Sequence, residues 1–290
     1  MISVFGKASL TCRKYNFLMK LIRSTDGWWA ERNSSFACLD GFNLDNWLAL
    51  PDPVGSLGKL PTGPARSDAP SALLPMGTQE AWAAGVTYLR SKTARMEESA
   101  QAASLYDRVY DAPRPELFYK ANPARCAGPG EALRLRSDTK WIVPEPELTL
   151  VISSTKQVVG FTIGNDVSCR DIEGENTLYL PQAKMWHKCC SIGPAILVND
   201  GTFDIRQSSI GLVIRRQGQA VFTGNTGIER IKRSFEELVS WLFRDQVFAN
   251  GVFLLTGTGI VPADDFSLQA GDEVEIEVAE IGKLVNKIEA

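Results

Sequence analysis

One histidine, His187, stands in 290 residues, and six cysteines are scattered without a Cys-x-x-Cys pair. The neighbourhood of His187 and Cys189-Cys190 lacks the second pair of ligands that a zinc site needs. No base stands at a recognisable position beside a thiol for nucleophilic catalysis. The spacing is no disulfide framework either, so the thiols read as small apolar residues of a reduced, cytoplasmic protein. Long apolar runs are missing as well. The longest are of strand length, short of the roughly 20 residues that a bilayer-spanning helix requires, and residues 1–18 hold no continuous apolar stretch followed by a small-residue cleavage site. Neither a membrane partner nor a signal peptide is expected. With 31 basic and 34 acidic residues, a net charge of −3 and no basic block, the chain carries no electrostatic footprint for nucleic acid.

What the chain does have is an acidic constellation. Glu145-Pro146-Glu147 is followed, at the end of the next predicted strand, by Asn165-Asp166-Val167-Ser168-Cys169-Arg170-Asp171. Side chains alternate faces along a strand, so in extended backbone Glu145 and Glu147 point the same way, about 7 Å apart. Two such carboxylates repel unless something neutralises them. With Asp166 as a third, they form an all-oxygen set that leaves coordination positions open, as Mg²⁺ or Mn²⁺ prefers when it also holds a substrate. A bare Glu-x-Glu is more often a solvated strand edge; its surroundings are what point to a metal.

The length allows one large domain or a main domain with a smaller N-terminal piece. From Pro51 to Pro75 the chain is rich in Pro, Gly, Ser and Ala and reads as a linker or long irregular connection. It divides an N-terminal module at 1–75, with Trp28, Trp29 and Trp47, from a catalytic domain at 76–290. A strand starts at residues 19–23. Residues 92–108, charged, alanine-rich and free of Gly and Pro, predict a surface helix. Beyond residue 115, runs of period-2 character at 148–153, 158–163, 210–215, 220–224 and 272–281, bounded by turn residues, predict a β-dominated body. One helix interrupts it, where Ser234 to Glu237 has capping-box spacing ahead of Leu238, Val239, Trp241, Leu242 and Phe243. That apolar face reads as core. No internal repeat is present.

The string from Pro144 to Pro194, with PEPELTLVIS, GFTIGNDVSCRDIEGEN, LYLPQAK and SIGP, resembles the fumarylacetoacetate hydrolase superfamily. The resemblance runs from about Trp82 to Ile288. Within it, ENxLYLPQAK, CCxxGP, EELVxWLFRD and LLTGTGIVP are most similar to the branch of 2-keto-3-deoxy-D-arabinonate dehydratases and their bacterial sugar-acid relatives. The resemblance implies an α+β, mainly β fold: a mixed β-sandwich roll of the fumarylacetoacetate hydrolase C-terminal type with a smaller N-terminal module. It also implies Mg²⁺, with Mn²⁺ or Ca²⁺ as substitutes, held by Glu145, Glu147 and Asp166, a small-molecule 2-oxo acid substrate, and a homodimer or homotetramer. The physics of the residues agrees, because a three-carboxylate site leaves room for the two oxygens of an α-keto acid. Such binding draws electron density from the carbonyl and acidifies carbon 3.

Two chemistries follow from that activation. A dehydratase takes the proton from carbon 3 and expels the hydroxyl of carbon 4, whereas a hydrolase sends water to a second carbonyl and cleaves a carbon–carbon bond. Hydrolases of the superfamily typically carry a histidine and a glutamate after an asparagine-tyrosine pair, the imidazole serving as base for water. The corresponding stretch here, Val86 to Lys92, has no histidine, and His187 lies elsewhere. This favours dehydration of a 2-keto-3-deoxy pentonate to a 2,5-dioxo acid, as in non-phosphorylative sugar catabolism. The alternatives are a hydrolase of a 2,4-dioxo acid, with water activated by Glu97, Glu98 or Glu116, and a catalytically silent relative that binds an oxo acid.

By the same resemblance Lys184, after the LPQ step, faces the metal pocket as the candidate for proton transfer, since a lysine beside a cation holds its proton less tightly. Lys120 is similar to a pocket lysine of the family. Glu116, on the same strand face, is the candidate acid for the departing hydroxyl, or a salt-bridge partner of Lys120 or Arg114. Arg170 either pins a substrate carboxylate bidentately or pairs with Asp171 or Glu173. Ser91 is placed at substrate hydroxyls. In Thr256-Gly257-Thr258-Gly259 the glycines let backbone approach a ligand, and Gly257 with the Thr258 hydroxyl is read as substrate-binding.

Overall fold

The computed structural model describes residues 18–60, 62–89 and 109–290. The helix expected over 92–108, and with it Ser91, Glu97 and Glu98, lies outside them. The N-terminal strands β1 (Met19–Ser24), β2 (Gly27–Arg32) and β3 (Ser35–Cys38) form an antiparallel meander. Two short helices follow, α1 (Leu44–Leu48) and α2 (Pro53–Ser56), capped by Asn43 and Asp52, whose side chains accept from the backbone amides of Asn46 and Gly55. The body contains β4 (Glu80–Gly85), β5 (Glu116–Ala121), β6 (Cys126–Ala127), β7 (Leu133–Arg134), β8 (Ile142–Val143), β9 (Pro146–Ile152), β10 (Val158–Asp166) and β11 (Ser168–Cys169). After the helices α3 (Arg170–Glu175) and α4 (Leu180–Lys184) come β12 (Cys190–Val198), β13 (Ser209–Arg216), β14 (Gln219–Gly227), helix α5 (Phe235–Leu242), β15 (Val252–Leu255), β16 (Glu273–Val278) and β17 (Gly282–Glu289).

A ten-stranded sheet runs β3-β2-β1-β12-β10-β9-β15-β4-β5, with β6 alongside β12; a five-stranded sheet runs β14-β13-β16-β17-β7. The large sheet is central because its middle strands are apolar at nearly every position. Every residue of β9 and β15 is buried. Such strands need cover on both faces, and they get it. Leu148, Leu150, Ile152, Phe161, Ile163, Val252 and Leu254 enter one core with Leu212 and Ile214 of β13, Ile276 of β16 and Leu238 of α5. The intervening Val151, Val159, Phe253 and Leu255 enter a second core with Leu21, Trp28, Trp47 and Leu48. Alternation thus assigns even and odd residues of β9 and β15 to two different cores, and the register shift between Val158 and Gly160 puts Val159 of β10 on the opposite side from Phe161 and Ile163.

The helix expected at Ser234 is α5. The Ser234 hydroxyl accepts from the Glu237 amide at 3.1 Å, while the Glu237 carboxylate, instead of closing the capping box, pairs with Arg233 at 2.5 Å. Residues 273–278 form β16, and the chain turns before β17, which period-2 reading of 272–281 alone does not separate. In the N-terminal segment β1 pairs with β12 through Lys20↔Leu197 and Leu21↔Ile196, so the large sheet continues across the division at residue 75. The proline-rich connection packs back on β3 through the bridges Phe36↔Arg66 and Leu39↔Thr62. Among the described residues no helix is long and apolar enough to cross a membrane.

Candidate active site

The β9–β10 register builds the centre of the site. Pro146 lies opposite Asn165 and Glu147 opposite Gly164, which brings the start of one strand to the end of the next. The Asp166 amide donates to the Glu145 carbonyl at 3.0 Å, and the Asn165 side chain accepts from the Glu145 amide at 3.1 Å. Glu145, Glu147 and Asp166 are therefore adjacent despite the residues between them. Each offers a carboxylate oxygen, all within 4.8 Å of one another, and all three side chains are buried.

Three cationic side chains surround this trio. Lys184 Nζ, delivered by the last turn of α4, lies 2.6 Å from Glu145 Oε2, 3.1 Å from Asp166 Oδ2 and 2.5 Å from Ser168 Oγ. Its fourth neighbour is Glu173 Oε1 at 3.5 Å. Lys120 Nζ reaches Asp166 Oδ1 at 2.7 Å and donates to the carbonyls of Val167 at 2.8 Å and Lys184 at 2.5 Å. All three of its donor positions are used. Burial pulls the Lys120 ammonium down, but the Asp166 carboxylate together with the neighbouring Cys189 and Cys190 thiols offsets it and holds the group above its ordinary value. Arg170 Nη2 meets Glu145 Oε1 at 2.6 Å and Nη1 meets Glu173 Oε2 at 3.3 Å. Of the two readings of Arg170, the carboxylate partners are internal. Asp171 turns away to accept from the Thr139 hydroxyl and the Lys140 amide.

Glu147 differs from its two companions, because a backbone amide, that of Gly257, is what meets its Oε2, at 2.6 Å. Burial first, and then the charges of Asp166 and Glu145, push its carboxyl well above the usual carboxylate range. A hard divalent cation among the three oxygens would relieve that repulsion, so the donor set and its burial fit Mg²⁺ or Mn²⁺. Gly257 itself has φ +90°, and a Cβ there would sit 2.0 Å from Thr87 Oγ1. Only glycine brings that amide to Glu147. Thr258 lines the same pocket, its Oγ1 accepting from the Ile260 amide at 3.2 Å.

The pocket around the carboxylates is walled by Ala84, Gly85, Val86, Phe118, Lys184 and the Gly257-Thr258 step. Beside it opens a chamber of about 340 Å³, lined by Val109, Arg114, Pro115, Glu116, Glu173, Thr177 and Leu180. Two carboxylates mark the boundary. Glu173 lies against Lys184, and Glu116 lies against Gly85, where a Cβ would sit 1.9 Å from its Oε2. His187 is exposed on the turn after α4 and lines neither space. Sequence reading assigned no site role to Ser168 or Glu173. The available signal was spacing: Glu173 follows Arg170 by three residues on α3 and so shares its helix face, and Ser168 follows Asp166 by two.

A family model described as Fumarylacetoacetate (FAA) hydrolase C-terminal matches residues 82–289. A probable 2-keto-3-deoxyxylonate dehydratase of Haloferax volcanii is 45% identical over 217 residues, 75% of this chain and 74% of that protein. The 2-dehydro-3-deoxy-D-arabinonate dehydratase of Saccharolobus solfataricus is 41% identical over 217 residues, 74% and 73% of the two chains. The structure of a 2-keto-3-deoxy-D-arabinonate dehydratase complexed with magnesium and 2,5-dioxopentanoate superposes with a TM-score of 0.80 at 32% identity, over 94% of this chain and 98% of that one. Motif order, fold and buried carboxylate trio agree with these likenesses, and the chain belongs to the fumarylacetoacetate hydrolase family.

Proposed function

We propose that this protein is a Mg²⁺-dependent hydro-lyase that converts a 2-keto-3-deoxy pentonate to a 2,5-dioxo acid and water. The observation that carries the reading is the buried trio Glu145, Glu147 and Asp166 with Lys184 Nζ set among its oxygens. It is joined by the likeness to dehydratases, one of them holding magnesium and 2,5-dioxopentanoate. The three carboxylates hold the ion, which supplies Lewis-acid polarisation of the 2-oxo group.

The protein's own groups then handle protons. Lys184 Nζ takes the proton from carbon 3, while Glu116 protonates the hydroxyl leaving carbon 4, so that one water departs and a double bond joins carbons 3 and 4. The allylic alcohol then tautomerises in two proton shifts: one from carbon 5 to carbon 3 gives the enol with its double bond between carbons 4 and 5, and loss of the enol hydroxyl proton with protonation of carbon 4 gives the aldehyde of a 2,5-dioxo acid. Lys120, which lines neither the carboxylate pocket nor the chamber, positions Asp166 and the Lys184 backbone instead of exchanging protons. Arg170 holds Glu145, and the Gly257 amide holds Glu147. Thr258 and Ser91 serve the substrate. Residues 76–290 carry this chemistry, and β1, β2 and β3 extend its sheet. The five described cysteines are all free, which suits a cytoplasmic setting, and family kinship favours a homodimer or homotetramer.

Mass spectrometry of products from 2-keto-3-deoxy pentonates and short 2,4-dioxo acids, with Mg²⁺ and with chelator, tests the reading. Loss of one water, dependent on Mg²⁺, is expected; cleavage of a dioxo acid into two smaller acids would overturn it in favour of the hydrolase. A second expectation concerns His187. Because it is exposed and outside both spaces, His187→Asn should leave kcat within about twofold, as surface changes usually do. A folded but inactive variant would restore histidine-assisted chemistry.

A further inference from the structure

We infer that Glu173 is a specificity-determining residue: its carboxylate accepts a hydrogen bond from the hydroxyl-bearing end of the substrate and rejects a sugar acid that ends in a second anion. The inference rests on the dehydratase reading and adds to it the chemistry of the substrate's far end.

Glu173 is 2% exposed, yet it lines the outer chamber while its Oε1 lies 3.5 Å from Lys184 Nζ. It therefore connects the chamber it lines with Lys184 of the carboxylate pocket. A substrate whose oxo-acid end occupies the carboxylate trio must send its remaining carbons past Glu173 and Glu116 into the chamber. Arg170 Nη1, at 3.3 Å, fixes the Glu173 side chain without closing the chamber, since Arg170 does not line it. The other wall residues are Val109, Pro115 and Leu180, which offer no hydrogen bonds, and Thr177. Arg114, the one cationic side chain of the lining among the described residues, lays its guanidinium over the Trp241 ring, 4.5 Å from its centroid, and borders the neighbouring groove as well.

Charge makes the selection. Glu145, Glu147, Asp166, Glu173 and Glu116 stand against Lys120, Lys184, Arg170 and Arg114, and a divalent ion together with the substrate's own carboxylate balances that set. A second carboxylate or a phosphate entering beside Glu173 meets repulsion in a poorly solvated space, whereas a hydroxyl meets an acceptor.

The test compares kcat/KM, in saturating Mg²⁺, for a 2-keto-3-deoxy pentonate, which ends in a hydroxymethyl group, and a 2-keto-3-deoxy hexarate, which ends in a carboxylate and can lose the same water. The wild type is expected to prefer the pentonate by on the order of a hundredfold. In Glu173→Gln that preference should shrink by about tenfold or more, with the pentonate's KM rising more than its kcat falls. Should Glu173→Gln prove unstable, Glu173→Asp keeps the charge with a shorter reach and is expected to keep the preference at a raised KM. A wild type that turns over both acids equally overturns this inference alone, and so does a Gln variant with the preference intact. A wild type that dehydrates neither acid overturns the dehydratase reading and this inference with it.

Discussion

Asp166→Asn is expected to abolish Mg²⁺ binding and to lower kcat by on the order of a thousandfold or more, since the ion's polarisation of the substrate is worth several kcal/mol. Asparagine keeps the shape and one acceptor, for Lys120, while its amide nitrogen faces Lys184 in place of Oδ2, so the protein should fold with a lowered melting temperature. Alanine would be a poorer probe, because it leaves the buried Lys120 ammonium without its carboxylate, a loss of about 3–5 kcal/mol. Glu147→Gln should lose the metal in the same way but behave oppositely in stability. Glu147 is the carboxylate met by a backbone amide and pressed by its two charged neighbours, so a neutral side chain of equal size removes repulsion and still accepts from Gly257. The metal-free Glu147→Gln protein is expected to melt above the metal-free wild type. Titration calorimetry and melting curves with and without Mg²⁺ separate the two effects. A fully active Glu145→Ala/Glu147→Ala/Asp166→Ala protein would end the metal-site reading.

Much of this arrangement was legible in the chain because it is built by strands. The period-2 runs at 148–153 and 158–163 are β9 and β10, and a short antiparallel connection between them forces residues 145 and 147 beside residue 166. The Ser234 cap fixed the start of α5 for an equally local reason. Long-range placement was less visible. Nothing local to Met19–Ser24 states that it will pair with β12, more than 160 residues away, and continue the large sheet beyond a proline-rich connection. The lysines show the same limit. Lys120 and Lys184 look alike as motif residues, yet only in the fold does one exhaust its donors on Asp166 and two carbonyls while the other sits among the ligands. Glu173 became a site residue only when α3 laid it between the carboxylate pocket and the outer chamber.

The contrast between those lysines leads to the second large effect. Lys184→Met is expected to retain Mg²⁺ binding while lowering kcat by about a thousandfold, within the span that a positioned acid or base contributes. Removing Nζ takes a competing cation away from Glu145 Oε2 and Asp166 Oδ2, so the ion should bind at least as tightly. Lys120→Met should divide its effect differently. It breaks the ion pair to Asp166 and the ties to Val167 and Lys184, and the expected result is a lower melting temperature and weaker metal binding, with kcat at saturating Mg²⁺ less affected than in Lys184→Met. A small primary amine offers a direct check, because in Lys184→Ala it can occupy the space left by the side chain and carry the proton. Restored turnover that rises with the concentration of free amine would identify Nζ as the proton carrier. A Lys184→Met enzyme working within about tenfold of wild type would instead move the proton step to another group.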